Sequence, residues 1–224
     1  MLPRNRIPLA LKFAYTAFMI VLVPVYWYAY GPTNFLYFCD VALFFALAAV
    51  WLESPLLASM PAVGILLPQA LWCVDFLGRC VGVAMPGSMT GYMFDLFDPN
   101  KPLFLRFLRS LSFFHFWLPF LLVYLVWRIG YDRRALIGWT LLAWLLQLVG
   151  YFLLPAGPAP EENRDLPVNV NYVFGLGEAP QTWMPGGWFL VLMMAALPIL
   201  LFVPTHFLLV WLAGPPRPSL GMTR

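Results

Sequence analysis

The longest apolar run of the chain lies in its C-terminal third. Residues 188–212 read WFLVLMMAALPILLFVPTHFLLVWL, and His206 is the one ionisable side chain in this run. A helix of this length extends about 37 Å, more than the roughly 30 Å of hydrocarbon in a bilayer. The run therefore predicts a transmembrane helix and decides the class of fold.

The same apolar character extends over the whole chain. Of the 224 residues, 62% are hydrophobic and 10% are charged, and the mean hydropathy is +0.79. Soluble domains carry roughly 25% charged residues. In lipid the backbone must satisfy its own hydrogen bonds, and continuous runs of about 20 apolar residues favour helices over barrel strands. We predict an all-α, polytopic integral membrane bundle and exclude a water-soluble core.

Six transmembrane helices are predicted within a single domain, 1–224. Two long connections, 78–109 and 155–187, follow the third and fifth helices, and no linker or internal repeat divides the chain. The N-terminal apolar stretch ends in aromatic residues without a small-x-small cleavage site, so it predicts an uncleaved first helix. The predicted helices lie near residues 7–28, 35–52, 56–77, 110–127, 135–154 and 188–212.

The distribution of Lys and Arg predicts cytoplasmic N- and C-termini in an inner membrane. With that orientation, eight basic residues lie inside (Arg4, Arg6, Lys12, Arg128, Arg133, Arg134, Arg217 and Arg224) and five outside (Arg79, Lys101, Arg106, Arg109 and Arg164). The acidic residues Glu161, Glu162, Asp165 and Glu178 also lie outside. An outer aromatic belt is predicted from Tyr26, Trp27, Tyr28, Tyr151, Trp183 and Trp188.

Several partner classes receive no support from the sequence. The net charge is +3 and the basic residues are scattered, so no nucleic-acid partner is predicted. Three cysteines, Cys39, Cys73 and Cys80, are an odd number without a CxxC pattern, so no disulfide framework or zinc ribbon follows. We predict no cofactor, and we expect membrane lipid as the partner.

Polar residues recur at one depth of the predicted bundle. Given the direction of each helix, Cys39 and Asp40 of helix 2, Asp75 of helix 3 and His115 of helix 4 all fall in the outer leaflet. Ionisable groups are expensive at this depth, so a functional site is the default interpretation. Gln69, Cys73, Arg79 and Gln147 lie at a similar depth.

A purely structural polar cluster is the alternative interpretation. Asp75 and Arg79 have the i, i+4 spacing of a local ion pair, and Asp40 would then accept a hydrogen bond from Arg79 or His115. A metal triad of Asp40, Asp75 and His115 is a further alternative, although the two histidines lack metal-binding spacing and we predict no metal. His206 lies near the opposite face, about 27 Å from the outer end of its helix, and is expected to be structural.

The two long loops also contain patterned segments. Residues 101–109, KPLFLRFLR, predict an interfacial helix, on which Arg106 and Arg109 either snorkel or hold a lipid headgroup. Residues 167–174, PVNVNYVF, alternate so that Asn169 and Asn171 share one face, and this segment either packs on the helix ends or caps the site.

Two segments resemble known membrane families. Phe35–Ala42, FLYFCDVA, resembles the LCDLA-like motif of YwaF-like bacterial integral membrane proteins, whose animal relatives are thought to move fatty acyl chains between lipids. Leu111–Phe120, LSFFHFWLPF, resembles the histidine helix of the androgen-induced-gene/ADTRP membrane hydrolases, which cleave fatty-acyl esters with a threonine and a histidine. Tyr37 stands where that family has its threonine, and Thr33 lies one turn away.

The resemblance implies a nucleophile on helix 2, a base on helix 4 and a lipid acyl ester as substrate. The expected catalytic residues are Cys39 as nucleophile, His115 as base, Asp40 or Asp75 as the group that orients it, and Thr33 as the substitute nucleophile. The predicted function is a lipid-directed acyl-ester hydrolase or acyltransferase. The competing function is a non-enzymatic membrane subunit or assembly factor.

Overall fold

The computed structural model describes residues 7–83, 89–161, 166–177 and 179–213. All regular structure in these ranges is helical. Short 3₁₀ turns occur at Pro32–Leu36, Gly91–Leu96 and Val170–Tyr172. The α-helices are α1 Leu9–Tyr30, α2 Phe38–Leu52, α3 Pro55–Cys80, α4 Leu103–Leu111, α5 Phe114–Ile129, α6 Ala135–Leu153, α7 Gly186–Leu197 and α8 Val203–Ala213.

Five apolar helical segments of the described chain are long enough to cross a membrane. They are Leu9–Tyr30, Pro55–Cys80, Leu103–Ile129, Ala135–Leu153 and Gly186–Leu212. α2 is a shorter apolar helix of 15 residues, which rises about 22 Å. The 3₁₀ turn at Pro32–Leu36 extends the same segment. The predicted fold class, an all-α polytopic membrane bundle, is confirmed.

The helix ends differ from the predicted bounds where a helix meets an irregular turn. α2 begins at Phe38 rather than residue 35 because the preceding five residues form the 3₁₀ turn. The fourth span, predicted from residue 110, begins at Leu103 in the structure and is interrupted at Ser112 and Phe113. Its first part, α4, covers most of the segment for which an interfacial helix is predicted. The predicted positions Arg4, Arg6, Glu162, Arg164, Asp165, Glu178, Arg217 and Arg224 lie outside the described residues.

α3 is the central helix of the bundle. Of its most apolar window, 61% is buried, against 22% for the segment Gly186–Leu212. Small residues on α3 allow close helix packing, and Gly64 faces the ring of Trp139 on α6. A Cβ added at Gly64 would lie 1.8 Å from Trp139 Cε2, so this contact requires glycine.

Polar contacts join the helices at one end of the bundle. At the end that holds His206, Lys12 Nζ lies 2.8 Å from Glu53 Oε1, and the Tyr131 hydroxyl lies 2.6 Å from His206 Nδ1. We call this the His206 end. The opposite end, where α5 begins, is the His115 end. The two histidines therefore lie at opposite ends, as predicted.

The last membrane-length segment is continuous but not uniformly α-helical. α7 passes into a π-helical turn at Pro198–Phe202, and α8 follows directly. Its outward side chains are apolar, with Ile199, Leu200 and Phe207 each about two-thirds exposed. These faces suit lipid rather than water.

Candidate functional site

A cavity of about 460 Å³ opens at the His115 end. It lies between α2, α3, α5, the end of α1 and the turn Val170–Tyr172. Four of the predicted polar residues line it: Cys39, Asp40, Gln69 and His115. The other lining residues are Tyr26, Tyr30, Asn34, Tyr37, Phe38, Gly64, Ile65, Pro68, Trp72, Met89, Tyr92, Ser112, Phe114, Asn171 and Tyr172.

Cys39 and Asp40 occupy the first turn of α2. The Cys39 thiol donates to Asp40 Oδ2 at 3.7 Å, and Asn34 Nδ2 donates to the same oxygen at 3.3 Å. Asp40 is 3% exposed, and its Oδ1 has no hydrogen-bond partner among the described residues. The expectation that Asp40 accepts from Arg79 or His115 is wrong, because its two donors come from its own chain neighbourhood.

His115 is the second residue of α5. Its Nδ1 lies 2.9 Å from the Ser112 carbonyl oxygen, which accepts only, so Nδ1 carries the hydrogen and Nε2 keeps its lone pair. The ring stacks on Trp72 with centroids 5.3 Å apart and on Phe114 at 4.0 Å. The group that orients His115 is therefore the Ser112 carbonyl, and the expectation that Asp40 or Asp75 does so is wrong.

Gln69 is a buried amide on α3 that lines the same cavity. It is 3% exposed, and neither amide atom has a hydrogen-bond partner among the described residues. A buried amide without partners costs free energy, so such groups concentrate where a ligand or water supplies the missing bonds. Gln147 on α6 is also fully buried, but it does not line the cavity.

Asp75 serves a different part of the structure. Its Oδ2 accepts from Met89 N and Thr90 N, each at 3.0 Å, and from Thr90 Oγ1 at 2.6 Å. Asp75 does not line the cavity but fixes the chain that returns after α3. Thr33 lies within the 3₁₀ turn Pro32–Leu36 and is likewise absent from the lining, while its neighbour Asn34 is present.

No metal centre is formed among the described residues, because no group of three His, Cys, Asp or Glu side chains converges there. The alternative of an Asp40, Asp75 and His115 metal triad is therefore wrong. His115 directs its ring toward aromatic neighbours, and Asp75 is engaged with Thr90.

Arg106 and Arg109 have internal partners. Arg106 Nε donates to the Leu96 carbonyl at 3.0 Å. Arg109 donates to the Tyr30 hydroxyl at 2.7 Å and lies 3.7 Å from Asp95, with its guanidinium 5.4 Å from the Tyr92 ring centroid. These contacts fasten α4 to the turn Gly91–Leu96. A headgroup-binding role for the two arginines stays a prediction.

Asn171 packs on the start of α2, as one of the two predicted alternatives for its segment requires, and it also lines the cavity. It lies in a left-handed conformation with φ +59°, as does Asn169 with φ +46°, so the segment is a 3₁₀ turn rather than an extended stretch. Asn171 Oδ1 accepts from Phe38 N at 3.0 Å, and Nδ2 donates to the Leu36 carbonyl at 2.9 Å. Asparagine adopts this conformation more readily than most residues, and two of them in one loop are the available indication.

The sequence pattern does not predict the tyrosines of the cavity. Tyr26, predicted in the lipid-facing belt, is 3% exposed, and its hydroxyl lies 2.7 Å from Ser112 Oγ. Trp27 and Tyr28 next to it are exposed, as the belt requires. The i, i+4 spacing of Tyr26 and Tyr30 places both on one face of α1, and that face turns inward. Tyr92, in the turn Gly91–Leu96, also lines the cavity. Burial raises the pKa of its phenol, which therefore stays neutral.

Comparisons with protein-family models, with curated proteins and with solved structures find no match to this chain.

Proposed function

We propose that this membrane protein is a lipid-directed acyl-ester hydrolase or acyltransferase, with Cys39 as nucleophile and His115 as general base. The observation that supports this most is that both side chains line one cavity, from the first turns of α2 and α5. The Ser112 carbonyl leaves Nε2 of His115 as the proton acceptor. Acyl transfer needs a nucleophile and an oriented base that face one substrate, and a shared cavity supports that arrangement.

The proposed reaction begins with rotation of the Cys39 side chain away from Asp40. His115 Nε2 takes the thiol proton, and the sulfur attacks the ester carbonyl carbon. The resulting oxyanion accepts a hydrogen bond from the Gln69 amide, whose N–H groups have no partner in the part of the chain that the structure describes. As the tetrahedral intermediate collapses, the alkoxide leaves with the proton from His115, and the acyl group remains as a thioester on Cys39.

The second half of the reaction releases the acyl group. Water, or the hydroxyl of a second lipid, gives its proton to His115 and attacks the thioester carbonyl. The Cys39 thiolate leaves and recovers the proton from His115. Water as acceptor makes the protein a hydrolase, and a lipid hydroxyl makes it an acyltransferase.

The proposed setting is the inner membrane, with the N- and C-termini in the cytoplasm and the cavity in the outer leaflet. The Lys and Arg distribution predicted from the sequence, eight inside against five outside, supports this orientation. The resemblance of two segments to YwaF-like proteins and to the androgen-induced-gene/ADTRP hydrolases agrees with an acyl-ester substrate. Cys39 is preferred over Thr33 because it lines the cavity and Thr33 does not.

A non-enzymatic membrane subunit or assembly factor is the second candidate function. The observation that favours it is that the Cys39 thiol is hydrogen-bonded to Asp40 rather than to His115. Asp75 and Arg109 also have structural partners. In that case the polar side chains would stabilise helix packing, and the protein would turn over no ester.

Purified variants separate the two candidates. We expect His115→Asn and Cys39→Ala to lose at least 100-fold in turnover of a panel of fluorogenic fatty-acyl esters, since general bases typically contribute about 10²–10⁴-fold. Asn at 115 still offers a donor to the Ser112 carbonyl, so the helix start is preserved. The matched control is Cys80→Ala, because Cys80 is exposed and outside the cavity.

Folding of each variant is checked by its melting temperature in detergent. An inactive Thr33→Ala protein beside an active Cys39→Ala protein would move the nucleophile to Thr33. A wild-type protein that turns over no ester, or a folded His115→Asn protein with unchanged turnover, would reject the enzyme.

A further inference from the structure

We propose that the cavity at the His115 end binds an organic ammonium group, held by the Asp40 carboxylate and the surrounding aromatic rings. Asp40 has no Lys, Arg or His partner among the described residues, and both of its donors, Asn34 and Cys39, use Oδ2. Oδ1 is buried and has no hydrogen-bond partner among the described residues, and Asp40 lines the cavity. A buried carboxylate is stabilised by a cation, which a ligand would supply here.

Several aromatic side chains also line the cavity. The hydroxyl of Tyr26 is engaged by Ser112, that of Tyr30 by Arg109 and that of Tyr37 by the Val168 carbonyl. Because these hydroxyls have protein partners, the tyrosines offer the cavity their rings. The faces of aromatic rings attract cations, and an ammonium ion in contact with several rings is favoured most when it is desolvated.

The geometry of the rings suits a compact cation. The Tyr26 and Tyr30 rings meet at 83° with centroids 5.1 Å apart, so they form a corner of the cavity. Trp72, stacked on His115, lines the cavity from α3. The protein already uses this chemistry at the edge of the cavity, where the Arg109 guanidinium lies over Tyr92. There, Asp95 at 3.7 Å offsets the charge of Arg109.

A metal ion fits this wall poorly. The described residues provide no group of three ligating side chains, and aromatic rings cannot replace the oxygen ligands that hard cations require. The volume of about 460 Å³ lies within the roughly 300–1,000 Å³ of small-ligand pockets. An alkylammonium with a short polar extension therefore matches both the size and the chemistry.

The ammonium group has two possible sources, a lipid headgroup or a free soluble amine. Met89 and Tyr172 line the cavity and are 40% and 44% exposed, which marks its opening. The inference concerns binding alone and stands apart from the acyl chemistry proposed above.

The test measures binding of radiolabelled choline to the purified full-length chain in detergent. We expect saturable binding that tetramethylammonium displaces, whereas 3,3-dimethyl-1-butanol, the uncharged analogue of choline, displaces at least tenfold more weakly. Asp40→Asn should weaken binding at least tenfold, and Asp132→Asn, a carboxylate exchange outside the cavity, should leave it unchanged. Tyr26→Phe keeps the ring and should bind, while Tyr26→Leu should bind at least tenfold more weakly.

Lipid competition distinguishes the sources. Displacement of choline by nanodiscs of phosphatidylcholine but not of phosphatidylglycerol supports a lipid headgroup, and displacement by soluble amines alone supports a free amine. Choline binding by the Cys39→Ala protein supports the inference even if no ester is turned over. The proposal is overturned if wild-type protein binds no choline or tetramethylammonium, or if folded Asp40→Asn and Tyr26→Leu proteins bind as wild type does.

Discussion

Asn171 shows how one side chain determines where the candidate nucleophile lies. The first backbone N–H groups of a helix have no partner within the helix. At α2, the N–H of Phe38 is satisfied by Asn171, which is 133 positions away in sequence. The second amide bond of Asn171, to Leu36, fixes the turn just before the helix. The start of α2, and with it Cys39, is therefore held by a distant loop.

Replacing Asn171 with alanine should destabilise the protein. Two half-buried backbone groups would lose their partners, and alanine would be strained at φ +59°, so we expect a loss of about 2–3 kcal/mol in the free energy of unfolding. The measurement is the melting temperature in detergent. Asn100→Ala is the control because Asn100 is exposed. Equal melting temperatures for the two variants would show that the hydrogen bonds of Asn171 to Phe38 and Leu36 are dispensable for stability.

At the scale of the elements, α3 organises the bundle because other helices approach its small residues closely. Trp139 is fully buried, and its ring occupies the space that a side chain at position 64 would need. Gly64 also lines the cavity, so the same residue serves helix packing and cavity shape. Protein interiors are too tightly packed for a ring of this size to move without cost.

Gly64→Ala should therefore destabilise the protein, although alanine is the better helix former. Overpacking typically costs about 1–3 kcal/mol in the free energy of unfolding. Because the added Cβ would lie 1.8 Å from Trp139, we expect a cost near the top of this range. Gly187→Ala in α7 is the control, since nothing lies within 4 Å of its added Cβ. We expect a lowered melting temperature for the first variant alone. An unchanged melting temperature for Gly64→Ala would mean that α6 can move away from α3 without cost.

On the scale of the whole molecule, the helices alternate in direction between two ends with different chemistry. One end holds the cavity, and the other holds the Lys12–Glu53 pair and the Tyr131–His206 contact. The topology predicted from the sequence assigns eight Lys and Arg residues to the latter end and five to the former, which predicts that the latter end faces the cytoplasm.

Native Cys80 offers a direct test of this orientation, because it is exposed at the end of α3. In a Cys39→Ala, Cys73→Ala protein expressed in bacteria, a membrane-impermeant maleimide should label Cys80 in spheroplasts. The control adds Cys80→Ser and Arg134→Cys, which places the thiol at the opposite end, where labelling should require permeabilised membranes. The reverse pattern would invert the proposed topology.

The sequence predicts which end of the bundle the polar residues occupy but not the direction in which each one points. Apolar run length and helix direction place Asp40, Asp75 and His115 toward the same end. Rotation about the helix axis depends on packing with other helices, which a local pattern does not contain. For this reason Asp75 was grouped with the site, although it points toward Thr90. Tyr26 was assigned to lipid for the same reason, although it faces the cavity.

The irregular turns were harder to predict than the helices. Membrane spans follow from composition, because lipid requires long apolar helices. The break at Ser112 and Phe113 instead depends on how α4 packs on the turn Gly91–Leu96. The left-handed backbone of Asn171 accompanies its hydrogen bond to the backbone N–H at the start of α2. Both causes are contacts between segments distant in sequence.

The π-helical turn at Pro198–Phe202 makes the length of the last segment as important as its composition. A π-helical turn holds one more residue than an α-helical turn, because its hydrogen bonds join residues i and i+5 rather than i and i+4. Deleting one residue from this turn, such as Leu200, would let it close as an α-helical turn and keep the facing of α8. In a segment that is α-helical throughout, the same deletion would rotate everything after it by about 100°. Thr205 and Leu209, now fully buried, should therefore stay buried after a one-residue deletion in the turn, whereas a one-residue insertion there should turn them toward lipid.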